Sequence, residues 1–228
     1  MKNCYIINDN ETYGKGIAKV FEREAPKNGI KVLGNQSWDP KATNYISFFQ
    51  GIKASNPDCI FFGGIYDAGG AQLIKDKVSV LGDNTAVKVI APDGFTGFPD
   101  LNKTQQAQGM YLSFAGLSLD QLKAAGGPGA KLIEDYTKQY GQAPSSSYAL
   151  YGVSAVQVIL QALKNSDGTR KGVQQALFEK GVTVPAAESV LGKDVAIDPK
   201  TGDVSAKDIT IEVIKNNEET FLKVQSVG

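Results

Sequence analysis

Histidine is absent from this chain of 228 residues. With it go the commonest general acid and base, His-dependent triads and imidazole metal sites. Cysteine is nearly absent: Cys4 and Cys59 are the whole complement, too few for a disulfide framework and without the C-x-x-C spacing of zinc or redox sites. Net charge is lacking as well, with 24 Lys plus Arg against 24 Asp plus Glu, so nothing electrostatic points to nucleic acid or to an anionic membrane. No apolar run approaches the roughly 18 residues of a membrane span. Residues 1–3 lead straight into a strand pattern without a signal peptide's apolar core, so any export signal is expected to be missing from this chain. The glycine clusters GGIYDAGG and GGPG fit neither the phosphate-loop nor the dinucleotide fingerprint. NDNETYGKG lacks the alternating ligands and terminal glutamate of a calcium loop, and reads as a strand-to-helix turn. These absences lead us to expect no cofactor, no metal and no catalysis.

What is present is organised around residues 59–70, CIFFGGIYDAGG. Four apolar residues followed by paired glycines predict a strand buried on both faces, ending in a loop where backbones approach closely. Residues 3–8 form an earlier strand of the same kind. The helix after it carries Ile17, Val20, Phe21 and Ala25 on one stripe, and Gly29 is expected to stop it. A short strand at 30–33 precedes a helix over 43–55 with Tyr45, Phe48, Phe49 and Ile52 on one face, broken by Asn56-Pro57-Asp58. A third helix over 68–81 carries Ile74, Val78 and Leu81, and a strand at 87–91 ends in PDGFTG. Strand and helix alternating in this way predict a parallel sheet with helices on both faces.

Each cysteine opens a buried strand. A pair of buried apolar thiols is the simpler reading. A bridge is the alternative if the first and third strands are neighbours, as in a 2-1-3-4 order, because both cysteines lie the same distance from their strand ends.

After Gly109 the pattern changes. Residues 110–115 predict a strand, but helices dominate the next stretch: 128–140, 146–164 and 169–180. Leu150, Val153, Val156, Ile159, Leu160 and Leu163 exceed a single narrow stripe, so the middle helix needs covering on more than one side. Only 181–185 and 195–197 offer strand material nearby. The tail, 209–214 and 220–224 around a polar turn, predicts a hairpin. One nearly complete α/β lobe and the helix-rich remainder of another are therefore expected.

This organisation resembles the branched-chain amino-acid binding proteins of ABC transporters, type I periplasmic binding proteins. The matching segments are YIINDNETYGKG (5–16), DPKATNY (39–45), NPDCIFFGGIYDAGGAQLI (56–74), APDGF (91–95), GMYLSFA (109–115) and SYALYGVSAVQVILQAL (147–163). The resemblance implies a second lobe from 1–111, the remainder of the first lobe from 112–200, and a return to the second lobe over 201–228. It also implies that the part of the first lobe holding the ligand carboxylate has no counterpart here. The expected function is capture of a small aliphatic amino acid such as leucine, isoleucine or valine between lobes that close on a hinge, for delivery to a membrane permease. The expected location is periplasmic or extracellular, at the cell surface. Two other readings stand beside it: a sensory receptor domain on the same fold, and a non-binding fragment that self-associates through uncovered helix faces.

A free amino acid needs donors for its carboxylate, an anion for its ammonium and an apolar wall for its side chain. By the resemblance Asp93 takes the ammonium, although aspartate is also a common turn former. Tyr13 and Tyr66 match the family's cleft aromatics, the plainer reading being tyrosines packed under loops. Phe95 is a candidate lining residue, with a core role equally open.

Overall fold

The computed structural model describes residues 1–205 and 207–226. In chain order the strands are β1 (Asn3–Asn8), β2 (Lys31–Ser37), β3 (Cys59–Gly63), β4 (Lys88–Ala91), β5 (Tyr111–Ala115), β6 (Val182–Val184), β7 (Val195–Ile197), β8 (Asp208–Lys215) and β9 (Glu218–Ser226). The α-helices are α1 (Thr12–Glu24), α2 (Ile46–Lys53), α3 (Gly70–Leu81), α4 (Pro99–Lys103), α5 (Leu119–Ala125), α6 (Gly127–Tyr140), α7 (Tyr148–Lys164) and α8 (Arg170–Gln175), the last running on into a π turn at Ala176–Lys180. Two compact units result. One comprises Met1–Phe114 and Ile211–Lys223, the other Ala115–Thr210 and the residues from Val224 on.

The first unit is built on a seven-stranded sheet of order β2-β1-β3-β4-β5-β8-β9. The pairs β1–β2, β1–β3, β3–β4 and β4–β5 are parallel. All five residues of β3 are buried, because alternate side chains serve opposite faces. Ile7, Ile60 and Phe62 pack with Phe49, Ile52, Leu73 and Ile74 of α2 and α3. On the other face Ile6 and Phe61 meet α1 through Ala18, Ile17 and Phe21, with the Phe21 and Phe61 rings stacked at 4.3 Å.

Helix α1 departs from the expected stripe. Gly14 and Ala18 are its buried residues, while Val20 is 48% exposed. The helix runs so close to the sheet that a Cβ on Gly14 would strike the Asp9 carboxylate and the Gly63 carbonyl. Small residues therefore face inward and Val20 turns out. The helix ends at Glu24, and Pro26 opens a separate short 3-10 turn that Gly29 closes in the left-handed region at φ 73°; proline, rather than glycine, ends the α-helix.

The thiol reading of the cysteines is overturned. Cys4 and Cys59 are in-register partners on the neighbouring strands β1 and β3, with Cα atoms 4.6 Å apart, and they form a disulfide. That separation lies within the range a bridge spans without moving the backbone.

Helix α3 carries two buried charges. The Asp76 carboxylate accepts the Tyr45 amide at 2.6 Å and Gln72 Nε2 at 2.8 Å. That bond satisfies an orphan donor at the entry to α2, which is why the helix begins at Ile46 rather than at residue 43. Lys77, fully buried, turns its Nζ to the carbonyls of Gly82 and Asp83, both at 3.0 Å, to Asn84 Oδ1 at 2.9 Å and to the Val87 carbonyl at 2.5 Å. A cation thereby holds together the turn that follows its own helix, at the end where the helix dipole favours positive charge.

The second unit packs α5–α8 with the antiparallel pair β6–β7. Leu122, Ile133, Leu150, Val158, Ala162, Val182, Val184 and Val195 are among its buried core. Helix α7 buries Leu150, Ser154, Val158 and Ala162, a stripe at four-residue spacing. Val153, Val156, Ile159, Leu160 and Leu163 of the same helix are exposed. No helix among the described residues is long and apolar enough to cross a membrane.

Candidate functional site

Parallel strands deliver their following loops to one edge of the sheet, the edge where open α/β folds place ligands. In the first unit β1, β3 and β4 end at Asn8, Gly63 and Ala91. The three loops that follow are laced together. The Asp9 amide donates to the Gly63 carbonyl at 3.0 Å. The buried Asp9 carboxylate accepts the amide of Glu11 at 3.0 Å through Oδ1 and that of Ile65 at 3.2 Å through Oδ2. Asp9 thus ties the loop after β1 to the loop after β3.

The loop after β3 is in turn tied to the loop after β4, since the Tyr66 amide donates to the Gly94 carbonyl at 2.9 Å. Trp38 holds it from the other side, its Nε1 donating to the Ala68 carbonyl at 2.7 Å. The approach is too close for side chains. A Cβ on Gly64 would lie 2.7 Å from both Asp9 Oδ2 and the Trp38 ring, and one on Gly94 would collide with the Gly64 carbonyl. Gly64 after β3 and Gly94 in the Pro-Asp-Gly turn after β4 are therefore demanded by the lacing.

This framework brings Tyr13 and Asp93 into direct contact: the Tyr13 hydroxyl donates to Asp93 Oδ1 across 80 residues of sequence. Tyr66 is tied to the same turn by its backbone bond to Gly94, the residue after Asp93. Its ring meets Phe98 at 4.9 Å and Phe95 edge-on at 6.1 Å. Phe95 itself is fully buried and packs against Phe62 at 5.9 Å, so its place is in the core beneath Tyr66. Tyr13 is 40% exposed, and Tyr66 and Asp93 are half-buried.

Burial raises the Tyr66 phenol above its ordinary value, and the nearby Asp100 and Asp67 carboxylates push it further. Tyr66 therefore keeps its proton at neutral pH. Besides the Asp67 and Asp100 carboxylates near Tyr66, the edge offers the Asp93 carboxylate, two phenols and aromatic surface, groups suited to a cation attached to an apolar group. Among the described residues, no group of three or more Asp, Glu, Cys or His is arranged to hold a metal ion.

Sequence reasoning missed Asp9, Trp38 and Phe98. Asp9 is an aspartate directly after a buried strand, and Trp38 stands alone in a polar stretch; both patterns were present but shared with ordinary turns.

The profile of the family described as periplasmic binding protein matches residues 1–211. The chain is 27% identical over 217 residues to the Leu/Ile/Val-binding protein BraC3 of Rhizobium johnstonii, covering 92% of this chain and 53% of that one. It is 24% identical over 189 residues to the Leu/Ile/Val/Thr-binding protein of Salmonella typhimurium, covering 83% and 48%. In three dimensions it is similar to a leucine binding protein from Thermotoga maritima, with a TM-score of 0.79 at 20% identity, over 99% of this chain and 61% of that one. The chain spans about half the length of the curated relatives it matches. From the laced carboxyl edge, the parallel sheet and a family match over most of its length, the chain belongs to the periplasmic binding proteins.

Proposed function

We propose that this chain supplies the ammonium and side-chain contacts of a receptor for a small aliphatic amino acid, of the leucine, isoleucine and valine class, that serves an ABC transporter at the outer side of the membrane. The observation that carries it is the Tyr13–Asp93 bond, at the same laced sheet edge as the Tyr66–Phe98 ring pair. Asp93 receives the ligand ammonium, because a charge-assisted N–H···carboxylate bond exceeds a neutral one in strength. A carboxylate accepts several hydrogen bonds at once, so bonding to the phenol and to an ammonium are compatible. Tyr13 fixes the carboxylate, and the Tyr66 face walls the aliphatic side chain. In the complete receptor, hinge closure follows from the ligand's greater affinity for the closed state, and the loaded protein hands its ligand to a membrane permease. The names of the relatives support the ligand class.

Ligand fragments test this reading. In an NMR titration of the chain, leucine and 3-methylbutylamine, which is leucine without its carboxylate, should shift Tyr13, Tyr66 and Gly94 alike, while 4-methylpentanoate, which lacks the ammonium, should not. Equal shifts from 4-methylpentanoate, or an unchanged response in Asp93→Asn, would sink the assignment.

A further inference from the structure

The hairpin of β8 and β9 enters the sheet far from the three loops in sequence, yet one of its side chains reaches the third of them. Glu219, near the start of β9, accepts the Gly97 amide at 2.8 Å and Asn102 Nδ2 at 3.2 Å on the same oxygen, Oε1. Gly97 lies just before α4 and Asn102 within it, and the N-cap residue of that helix is Phe98. Gly97 holds a left-handed conformation at φ 79°, a turn that one amide bond can pin. Phe98 is the ring that lies 4.9 Å from Tyr66. The contacts thus run from Glu219 through Gly97 and Phe98 to the phenol at the candidate site, all within the first unit.

We propose that Glu219 is a positioning residue for the candidate site: its Oε1 fixes the turn at Gly97 and so seats the Phe98 ring on Tyr66. The proposal deepens the amino-acid reading, on which its link to binding rests. The Glu212 side chain also faces Glu219. Burial raises the Glu219 carboxyl above the ordinary carboxylate range, while Gly97, Asn102 and Glu212 pull it back. A glutamine at 219 keeps, without a charge, an oxygen for the Gly97 amide and Asn102 Nδ2.

The test compares Glu219→Ala with Glu219→Gln in the full chain. Hydrogen exchange should accelerate at Gly97 in Glu219→Ala by about ten-fold or more, the loss expected for a bond to a carboxyl group. The Tyr66 and Phe98 ring resonances should move, while exchange in β1, β3 and β4 stays at the wild-type rate. Glu219→Gln should restore both signals. Should Glu219→Ala fail to fold, Glu219→Asp, which withdraws the oxygen by one methylene, gives the same comparison. Unchanged Tyr66 and Phe98 resonances, faster exchange throughout the sheet, or failure of Glu219→Gln to restore the signals would each overturn the proposal. A parallel leucine titration separates the two ideas: a wild-type chain that ignores leucine overturns the amino-acid reading, while the ring signals still decide the role of Glu219.

Discussion

Cys4 and Cys59 sit opposite each other in register on the adjacent strands β1 and β3, both fully buried, and are joined across 55 residues of sequence. The bridge closes a loop containing α1, β2 and α2. On the chain-entropy account, a closed loop of this length restricts the unfolded chain by about 4 kcal/mol. The double variant Cys4→Ala/Cys59→Ala should accordingly lose 2–4 kcal/mol, roughly the usual range for such bridges, with the parallel register intact. Urea denaturation in parallel with the wild type measures the loss, and a double variant as stable as the wild type would remove the bridge from the account of stability.

Lys77 gives a pH dependence of definite sign. Burial pushes its ammonium down to about 8, against an ordinary 10.5, with Asp83 working the other way. Between those values the unfolded chain holds a proton that the folded chain has released. Stability must therefore rise with pH across that window, by at most about 1.4 kcal/mol per unit. Burial raises Tyr5, Tyr45, Tyr66 and Tyr151 above 10, which reverses the slope at higher pH, so the test belongs between pH 8 and 10. Denaturation midpoints should climb there for the wild type and stay flat for Lys77→Met. That variant should also be less stable by about 3 kcal/mol at pH 7.5, since it strands buried carbonyls and Asn84 without a donor. A wild-type midpoint that falls from pH 8 to 9.5 would contradict the assignment.

Asp93 and Tyr13 should separate binding from folding. Losing one charge-assisted bond costs about 1.5–3 kcal/mol, a factor of roughly 10 to 150 in affinity. Asp93→Asn should lose that much affinity for 3-methylbutylamine with a thermal midpoint close to the wild type. Tyr13→Phe should lose less, because it frees the carboxylate's orientation but leaves its charge. The reverse ranking would show the phenol to be the principal contact.

Gly94→Ala tests the lacing of the loops. Its Cβ would run into the Gly64 carbonyl and the Ile65 backbone, so the loop after β4 must move away and the Tyr66–Gly94 bond must lengthen. The expected outcome is destabilisation of about 1–3 kcal/mol, typical of overpacking, together with loss of the Tyr13–Asp93 contact seen as a shifted Tyr13 resonance. An unchanged Tyr13 signal would mean that the loops are held independently.

Much of the first unit was legible because its signals are local. The apolar runs at 3–8 and 59–63 became the neighbouring strands β1 and β3, and the Asn-Pro-Asp break fell between α2 and β3. What escaped depended on partners distant in sequence. The inward turn of Gly14 and Ala18 follows from the closeness of Asp9 and Gly63, and the start of α2 follows from Asp76, 31 residues away. The cysteines could be decided only once the register of β1 on β3 was known. Helix α5 did have a local signal, the Ser118–Gln121 capping box, but it followed so soon after β5 that its few apolar residues formed no period. For the site, the strand-end positions of Tyr13, Tyr66 and Asp93 were readable, whereas the bond from Tyr13 to Asp93 and the hold of Glu219 on Gly97 span 80 and 122 residues, beyond any spacing rule.

The entry of β8 and β9 beside β5 has a consequence for how the protein is made. A ribosome delivers β1 to β5 first, then all of α5–α8, and only afterwards the two strands that extend the first sheet. Until residue 214 emerges, β5 presents an open edge and the core lacks Ile214, which is fully buried in the finished fold. Such an edge is a template for pairing with other chains. The intervening helices should therefore complete their packing while the earlier sheet is still waiting, and a stall or cleavage before β8 would release a nascent chain with its pairing edge exposed.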